Sequence, residues 1–313
     1  MSNVSFFSIL ADLSFASKQH KMPPKDSWKP PQNKGKESKD NYVTGVGRDK
    51  WGPMYPAADG VITYFATQDA NKYHFDSAKD ATKHYKDFVH TMLDAVKYAF
   101  NIWKLTLYFK SLKVNGPTAV GSKGCLTSSM PPTGRHADLG CACGFFTTFL
   151  TFPKHAQFLQ NDCYADWRDA VGRGVAKCLK RYVDNVMVPG LPWYPAFAAF
   201  PGPVAPPMPN VTTPLMACPS VKMDQITVSN NIKSAIIQEF KGSLKDKSND
   251  SVYKTVFGAI ADSLSVGFTM WLATQVVNLV MGTGQIPTFA PPWVPVGPVI
   301  NGQNIPTMGG NLA

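Results

Sequence analysis

The sequence predicts a mainly α-helical fold, built from repeated helix or helix-hairpin modules with long Pro/Gly-rich extended arms and minor β structure. Three observations carry that expectation. First, a pattern recurs about 95 residues apart: Val171-Gly172 … Val186-Met187 … Pro192 … Gly202-Pro203-Val204 is matched by Val266-Gly267 … Met281-Gly282 … Pro287 … Gly297-Pro298-Val299. Self-similarity at a fixed spacing marks one supersecondary unit used more than once. Second, several stretches place apolar residues at three- and four-residue steps, the period of an amphipathic helix. Third, each of these stretches runs into Gly and then into proline-rich chain, which lacks the N–H groups that a central strand needs.

Residues 1–17 are mostly apolar (Phe6, Phe7, Leu10, Leu13, Phe15) and read as a short amphipathic helix. Asp12 interrupts them and no basic stretch precedes them, which argues against a cleaved signal peptide. Residues 18–60, with Pro23-Pro24, Pro30-Pro31, Pro53 and Pro56, read as an extended arm of polyproline character. Val61–Phe65 is a brief strand-like run. The first clear helix is expected over Ser77–Leu112, with Phe88, Met92, Val96, Ala99, Phe100 and Trp103 on its apolar face. Asp76 or Ser77 would cap its start, and Asn115-Gly116-Pro117 would stop it. Val120–Pro132 reads as irregular, and Phe145–Phe152 fits strand and helix equally.

A second helix is expected over Tyr164–Met187. Its apolar face carries Val171, Val175, Cys178, Leu179, Tyr182 and Val183, and its basic face carries Arg168, Arg173, Lys177, Lys180 and Arg181. The following Pro189–Pro219 holds ten prolines. That excludes helix and central strand and leaves a polyproline or β-edge arm presenting Trp193, Tyr194, Phe197 and Phe200. Helices are then expected over Thr227–Leu244 and Ser251–Met281, with Gly282-Thr283-Gly284 as the stop. A last arm carries Phe289 and Trp293. Ala99–Trp103 also matches Gly267–Trp271, a weaker third copy. The chain thus divides into a basic Pro-rich arm (1–60) and three helical modules (61–132, 133–220 and 221–313), the last two each with a Pro-rich arm.

With 313 residues and 44% apolar content the chain can bury a large core, which excludes wholesale disorder. Only 17% of residues are charged, while Pro and Gly number 26 and 24. Few charges suit a surface covered by neighbours. The net charge of +10 is concentrated over Lys18–Lys50, where nine basic residues meet four acidic ones. That segment reads either as a solvated tail or as a contact for nucleic acid or an acidic surface.

Catalytic signatures are absent: no Gly-x-Ser-x-Gly, His-Glu-x-x-His or phosphate-binding loop occurs, so neither an enzyme nor a cofactor is expected. The weak metal candidates are His136, Cys141 and Cys143, but a Cys-x-Cys pair is tighter than a zinc knuckle and its second pair is missing. Six cysteines are too few for a disulfide framework, and unpaired thiols are expected. Asn210-Val211-Thr212 and Asn249-Asp250-Ser251 are sequons without an export signal. Val256–Met281 is long enough to span a bilayer, but its polar residues favour a buried helix, and membrane association stands as a rival reading.

The Pro-rich segments Pro189–Pro219 and Gly284–Ala313 resemble, in style, those of bacteriophage tail, neck, baseplate or head proteins, whose extended arms reach across subunit boundaries. That resemblance implies a virion structural protein, assembled in the host cytoplasm from copies of itself and other structural proteins. Nucleic acid is a candidate further partner through Lys18–Lys50, beside the reading of that segment as a solvated tail. Trp193, Tyr194, Phe197, Phe200, Phe289 and Trp293 are the expected interface anchors. A third reading places metal or redox chemistry at the His136/Cys141/Cys143 cluster.

Overall fold

Three long helices form as the apolar spacing predicts, but the chain between them folds into sheet. The computed structural model describes residues 9–14, 20–21, 53–54, 72–129, 162–194, 197–240, 250–288, 297–307 and 309–312. The helices are α1 (Lys72–Leu105), α2 (Asp162–Val183), the short α3 (Asp224–Thr227), α4 (Ser229–Glu239) and α5 (Asp250–Thr274). About 49% of the described residues are helical and 26% lie in strands. The expectation of a mainly α protein with minor β is therefore wrong: the fold is α+β.

Twelve strands account for the difference: β1 (His20–Lys21), β2 (Pro53–Met54), β3 (Leu107–Phe109), β4 (Lys113–Asn115), β5 (Thr118–Gly121), β6 (Leu126–Ser128), β7 (Val188–Pro192), β8 (Val204–Pro209), β9 (Thr213–Pro214), β10 (Val276–Val277), β11 (Met281–Gln285) and β12 (Ile300–Ile305). Six of them form one antiparallel sheet in the order β7-β5-β4-β12-β11-β8, and β1-β2, β3-β6 and β9-β10 are separate pairs. Beyond the two outer strands, Trp193 bridges Asn210, and the Val211 N–H donates to the Pro192 carbonyl at 2.9 Å. The chain just past the two outer strands thus meets in a single bridge, which closes the six strands into a small barrel at that end.

Proline dictates where the seam falls. β7 and β8 carry Pro189, Pro192, Pro206, Pro207 and Pro209, none of which can donate to a ladder. The β-edge alternative for Pro189–Pro219 fits these positions; the reading of the whole stretch as an arm does not.

The barrel is narrow, and the buried faces of its strands carry small residues: Ala119, Ala205, Gly282 and Gly302 beside Val114 and Leu191. The Trp193 ring lies against Gly282, where an added Cβ would sit 2.9 Å from two ring carbons. The Trp193 indole N–H donates to the Met208 carbonyl at 3.0 Å, so its one polar group is satisfied inside. Gly284 meets the Gly302 Cα in the same way, at 2.6 Å from its absent Cβ. Gly282-Thr283-Gly284 is therefore a strand that admits a ring and a close neighbour, not a helix stop. α5 ends at Thr274, seven residues before the expected Met281.

α1 likewise stops at Leu105 instead of Leu112, because Leu107–Phe109 pair with β6. Thr106 closes the helix by donating its hydroxyl to the Trp103 carbonyl at 2.7 Å, and the distant Gly310 N–H donates to the Leu105 carbonyl at 3.0 Å. Asn115-Gly116-Pro117 is the turn of the β4–β5 hairpin, with Gly116 at φ +54°, as a two-residue loop opening on Gly requires. Val120–Pro132, expected to be irregular, contains β6 and the end of β5.

Buried asparagines supply the hydrogen bonds that the ladders leave open. Asn304 accepts from the Leu112 N–H at 2.7 Å and donates to the Phe109 carbonyl at 2.7 Å. Asn210 accepts from the Val280 N–H and donates to the Val277 carbonyl. Asn311 accepts from the Phe109 N–H and donates to the Leu279 carbonyl. A buried Asn210 is closed to glycosylation, and Asn249 lies outside the described residues.

The helices pack on one another around aromatic contacts. Trp167 of α2 touches Phe88 of α1 and Phe257 of α5, with ring centroids 5.7 and 5.9 Å apart. Gly174 of α2 admits the backbone of Ile236 in α4, whose Cα would stand 2.6 Å from an added Cβ. In both recurring copies a helix runs into strands, but β11 and β12 pair with each other while β7 and β8 sit at opposite sides of the seam. The sheet takes strands from each of the segments 61–132, 133–220 and 221–313, and one contiguous apolar core joins them to the helices.

Two stability measurements check this account. Gly to Ala in a strand ordinarily stabilises by about 0.5–1 kcal/mol, but Gly282→Ala is expected to lower the melting temperature. Adding Trp193→Phe should recover part of that loss, a coupling that a double-mutant cycle reads directly. Asn304→Ala leaves the Leu112 N–H and Phe109 carbonyl without their partner, and urea titration should show a loss of about 1–3 kcal/mol per orphaned group.

Candidate interaction surface

Charge, not apolarity, distinguishes one face of the barrel. β8, β11 and β12 are adjacent and contain no Asp, Glu, Lys or Arg. Gln285 of β11 pairs with Val204 on one side and Ile300 on the other, and Met281 pairs with Pro209 and Ile305. These cross-strand rows lie on the outward side, where Val204, Ile300 and Ile305 are 50%, 40% and 38% exposed. Leu279, just before β11, is also exposed and holds φ +53°, a left-handed conformation that costs a bulky residue of order 1–3 kcal/mol. The Asn311 amide that donates to its carbonyl helps to hold it there.

The helical side carries a second surface. Contacts climb together along α1 and α5: Phe88 and Phe257 share Trp167, and Phe100 meets both Phe268 and Trp271. The two helices therefore run in the same direction. A helical turn at residues 9–14 sits on both. Asp12 pairs with Lys86 at 2.9 Å and His90 at 2.8 Å on α1, and the Ser14 hydroxyl donates to Asp262 on α5 at 2.5 Å. Ala11 is buried beneath the turn. Partial burial raises the Asp12 pKa, but the hydrogen bonds and charges of His90 and Lys86 outweigh it and hold the carboxyl below its ordinary value. Further along, Leu93, Val96, Lys97, Phe100, Leu264, Gly267 and Phe268 line an apolar hollow.

The aromatic anchors fall elsewhere. Trp193 and Phe197 are buried in the chain's own core, and Phe200 packs against it. A ring buried in its own core cannot also fill a neighbour's groove, so Trp193 and Phe197 are packing residues. Tyr194 remains 47% exposed, while Phe289 and Trp293 lie outside the described residues.

The chemical candidates gain nothing from the structure. His136, Cys141 and Cys143 lie outside the described residues. Among the described ones, no three His, Cys, Asp or Glu stand close enough to hold a metal. Cys125, Cys178 and Cys218 are free and buried. Burial pushes the first two thiols up to about 11 and, with Cys125 nearby, Cys218 up to about 12. Such thiols stay protonated at neutral pH and are poor nucleophiles and ligands. Basic residues of α2 are largely engaged: Arg168 with Asp169, Lys177 with Glu239, Lys180 with Asp184, and Arg181 with Gln225. The Lys18–Lys50 segment lies outside the described residues except for His20–Lys21. Tyr253–Thr274 is long and apolar enough to cross a membrane, with mean hydropathy 1.4, and 72% of its apolar window is buried within this fold.

No protein-family model, no curated protein and no solved structure matches this chain.

The Asp12 clasp makes a pH-dependent prediction. A carboxyl whose pKa is lowered on folding adds stability above its unfolded value, ordinarily ~3.9, and loses it as pH falls through the folded value. Asp12→Asn should therefore melt earlier at pH 7, by up to about 1 kcal/mol as for part-exposed ion pairs. Melting curves of the two proteins should converge toward pH 3.

Proposed function

We propose that this chain is a structural subunit of a large assembly, of bacteriophage virion type, which associates with copies of itself through the outward face of β8, β11 and β12. The observation that carries the reading is the absence of charge on three adjacent, partly exposed strands. Freely soluble sheets protect their exposed surfaces with charge, especially lysine. Here Val204, Ile300 and Ile305 alternate with amides and prolines instead. An apolar and amide surface gains free energy when a partner excludes water from it, at about 25 cal/mol per Å² of apolar area. Amides add directional bonds without the desolvation cost of a charge.

The chemistry of such a subunit is mechanical. The barrel offers a stiff face because the Trp193 ring and close-packed glycines leave its strands little room to move. A low charged fraction, 17% of residues, supports the same reading, since few charges suit a surface that neighbours cover.

Light scattering on the purified chain, with negative-stain images of the same fraction, tests the reading. A defined multimer is expected. Val204→Asp with Ile300→Asp should dissociate it while moving the chain's own stability by only about ±0.5 kcal/mol, as surface changes do. A 34.2 kDa monomer at every concentration would overturn the proposal.

A further inference from the structure

Leu279 is held in a conformation that nothing within the chain rewards. It stands at φ +53° with its side chain 58% exposed, so it gains neither backbone ease nor burial. Beside it, the Asn278 Oδ1 is buried with no hydrogen-bond partner among the described residues. The peptide plane after Leu279 is pinned at both of its polar groups. The Leu279 carbonyl accepts from the Asn311 amide at 3.0 Å, and the Val280 N–H donates to the Asn210 amide oxygen at 2.9 Å. That plane cannot turn to relax the leucine without breaking both bonds.

Asn311 belongs to a latch, Gly309–Leu312. The Gly310 N–H donates to the Leu105 carbonyl at 3.0 Å, the Asn311 carbonyl accepts from the Asn278 N–H at 3.1 Å, and Leu312 bridges Val277. The latch therefore ties the end of α1 to the β10–β11 connection. It leads straight to the uncharged face: two residues after Leu279, Met281 pairs with Ile305 in that face's first row. A neighbouring copy that covers the row also covers Leu279. Surface strain that the surrounding bonds maintain marks a functional position.

Resting on the assembly reading above, we propose that Leu279 anchors the contact between copies and that the latch is the device that readies it. With the latch seated, the leucine stands out at the head of β11 already ordered, so association does not bear the cost of ordering it. With the latch unseated, β8, β11 and β12 remain but the anchor is lost. Association is thus conditional on Gly309–Leu312.

Light scattering over a concentration series, with urea titration of the same samples, separates this from a purely structural role. Leu279→Asn tolerates the left-handed conformation better than leucine, so the chain's own stability should hold or rise. Its association should weaken by about tenfold or more, as one leucine left unburied implies. An added Cβ at Gly310 meets nothing within 4 Å, but φ there is +81°. Gly310→Ala therefore strains the latch without a clash, and should weaken association by about threefold or more. It should make no further difference in the Leu279→Asn background. If Leu279→Asn associates like the natural chain while Val204→Asp with Ile300→Asp still dissociates it, the anchor falls and the assembly reading stands. If the two losses simply multiply in the double variant, the latch does not act through Leu279 and that part falls. A monomer at every concentration overturns both readings.

Discussion

Closing a six-stranded barrel with strands that lack half their donors is the constraint on which this fold rests. Five prolines in β7 and β8 prevent a continuous ladder at the seam. The seam holds because one backbone bridge is supplemented by side chains. Trp193 bridges Asn210, its indole N–H reaches the Met208 carbonyl, and its ring fills the space that Gly282 leaves. Asn210 in turn joins the seam to the β10–β11 connection through the Val277 carbonyl and the Val280 N–H. The small residues on the buried strand faces follow from this, because a narrow barrel already occupied by one indole has no room for more large side chains.

Much of the helical part was legible in the sequence. Phe88, Met92, Val96 and Trp103 are buried along α1, and Val171, Val175, Cys178, Leu179 and Tyr182 along α2, as their spacing implies. The sheet was not legible, for physical reasons. Period-two alternation identifies a strand only when inward positions are large and apolar. In β11 they are Gly282 and Gly284, which locally look like helix terminators. In β4 and β5 the strands are three and four residues long, and the Gly116-Pro117 turn between them carries the same residues as a helix stop.

The proposed interaction surface was only half legible. A low charge content predicted covered surface, yet the aromatic residues that drew attention are mostly interior. Aromatic side chains in proline-rich sequence read as outward anchors when the prolines are taken as an arm. Once the prolines are placed on seam strands, the same rings become the filling of the barrel. The uncharged face emerges only from strand order, since β8 and β11 lie more than seventy residues apart in the chain. The clasp at Asp12 depends likewise on partners on α1 and α5, far from it in sequence.

The late residues Gly309–Leu312 impose an order on synthesis. Asn311 completes the hydrogen bonding of Phe109, 202 positions earlier, and Asn304 serves Phe109 and Leu112 across separations of 195 and 192. Gly310 closes the end of α1. Until a ribosome has made residues 300–312, the β3–β4 region has unpaired backbone and the barrel lacks β12. Helices α1 and α2 can form early, but the sheet must wait for β12. Such long sequence separations make for slow folding and a long-lived intermediate with open strands. Chains in which β12 and Asn311 have not yet been made must therefore be kept apart from one another.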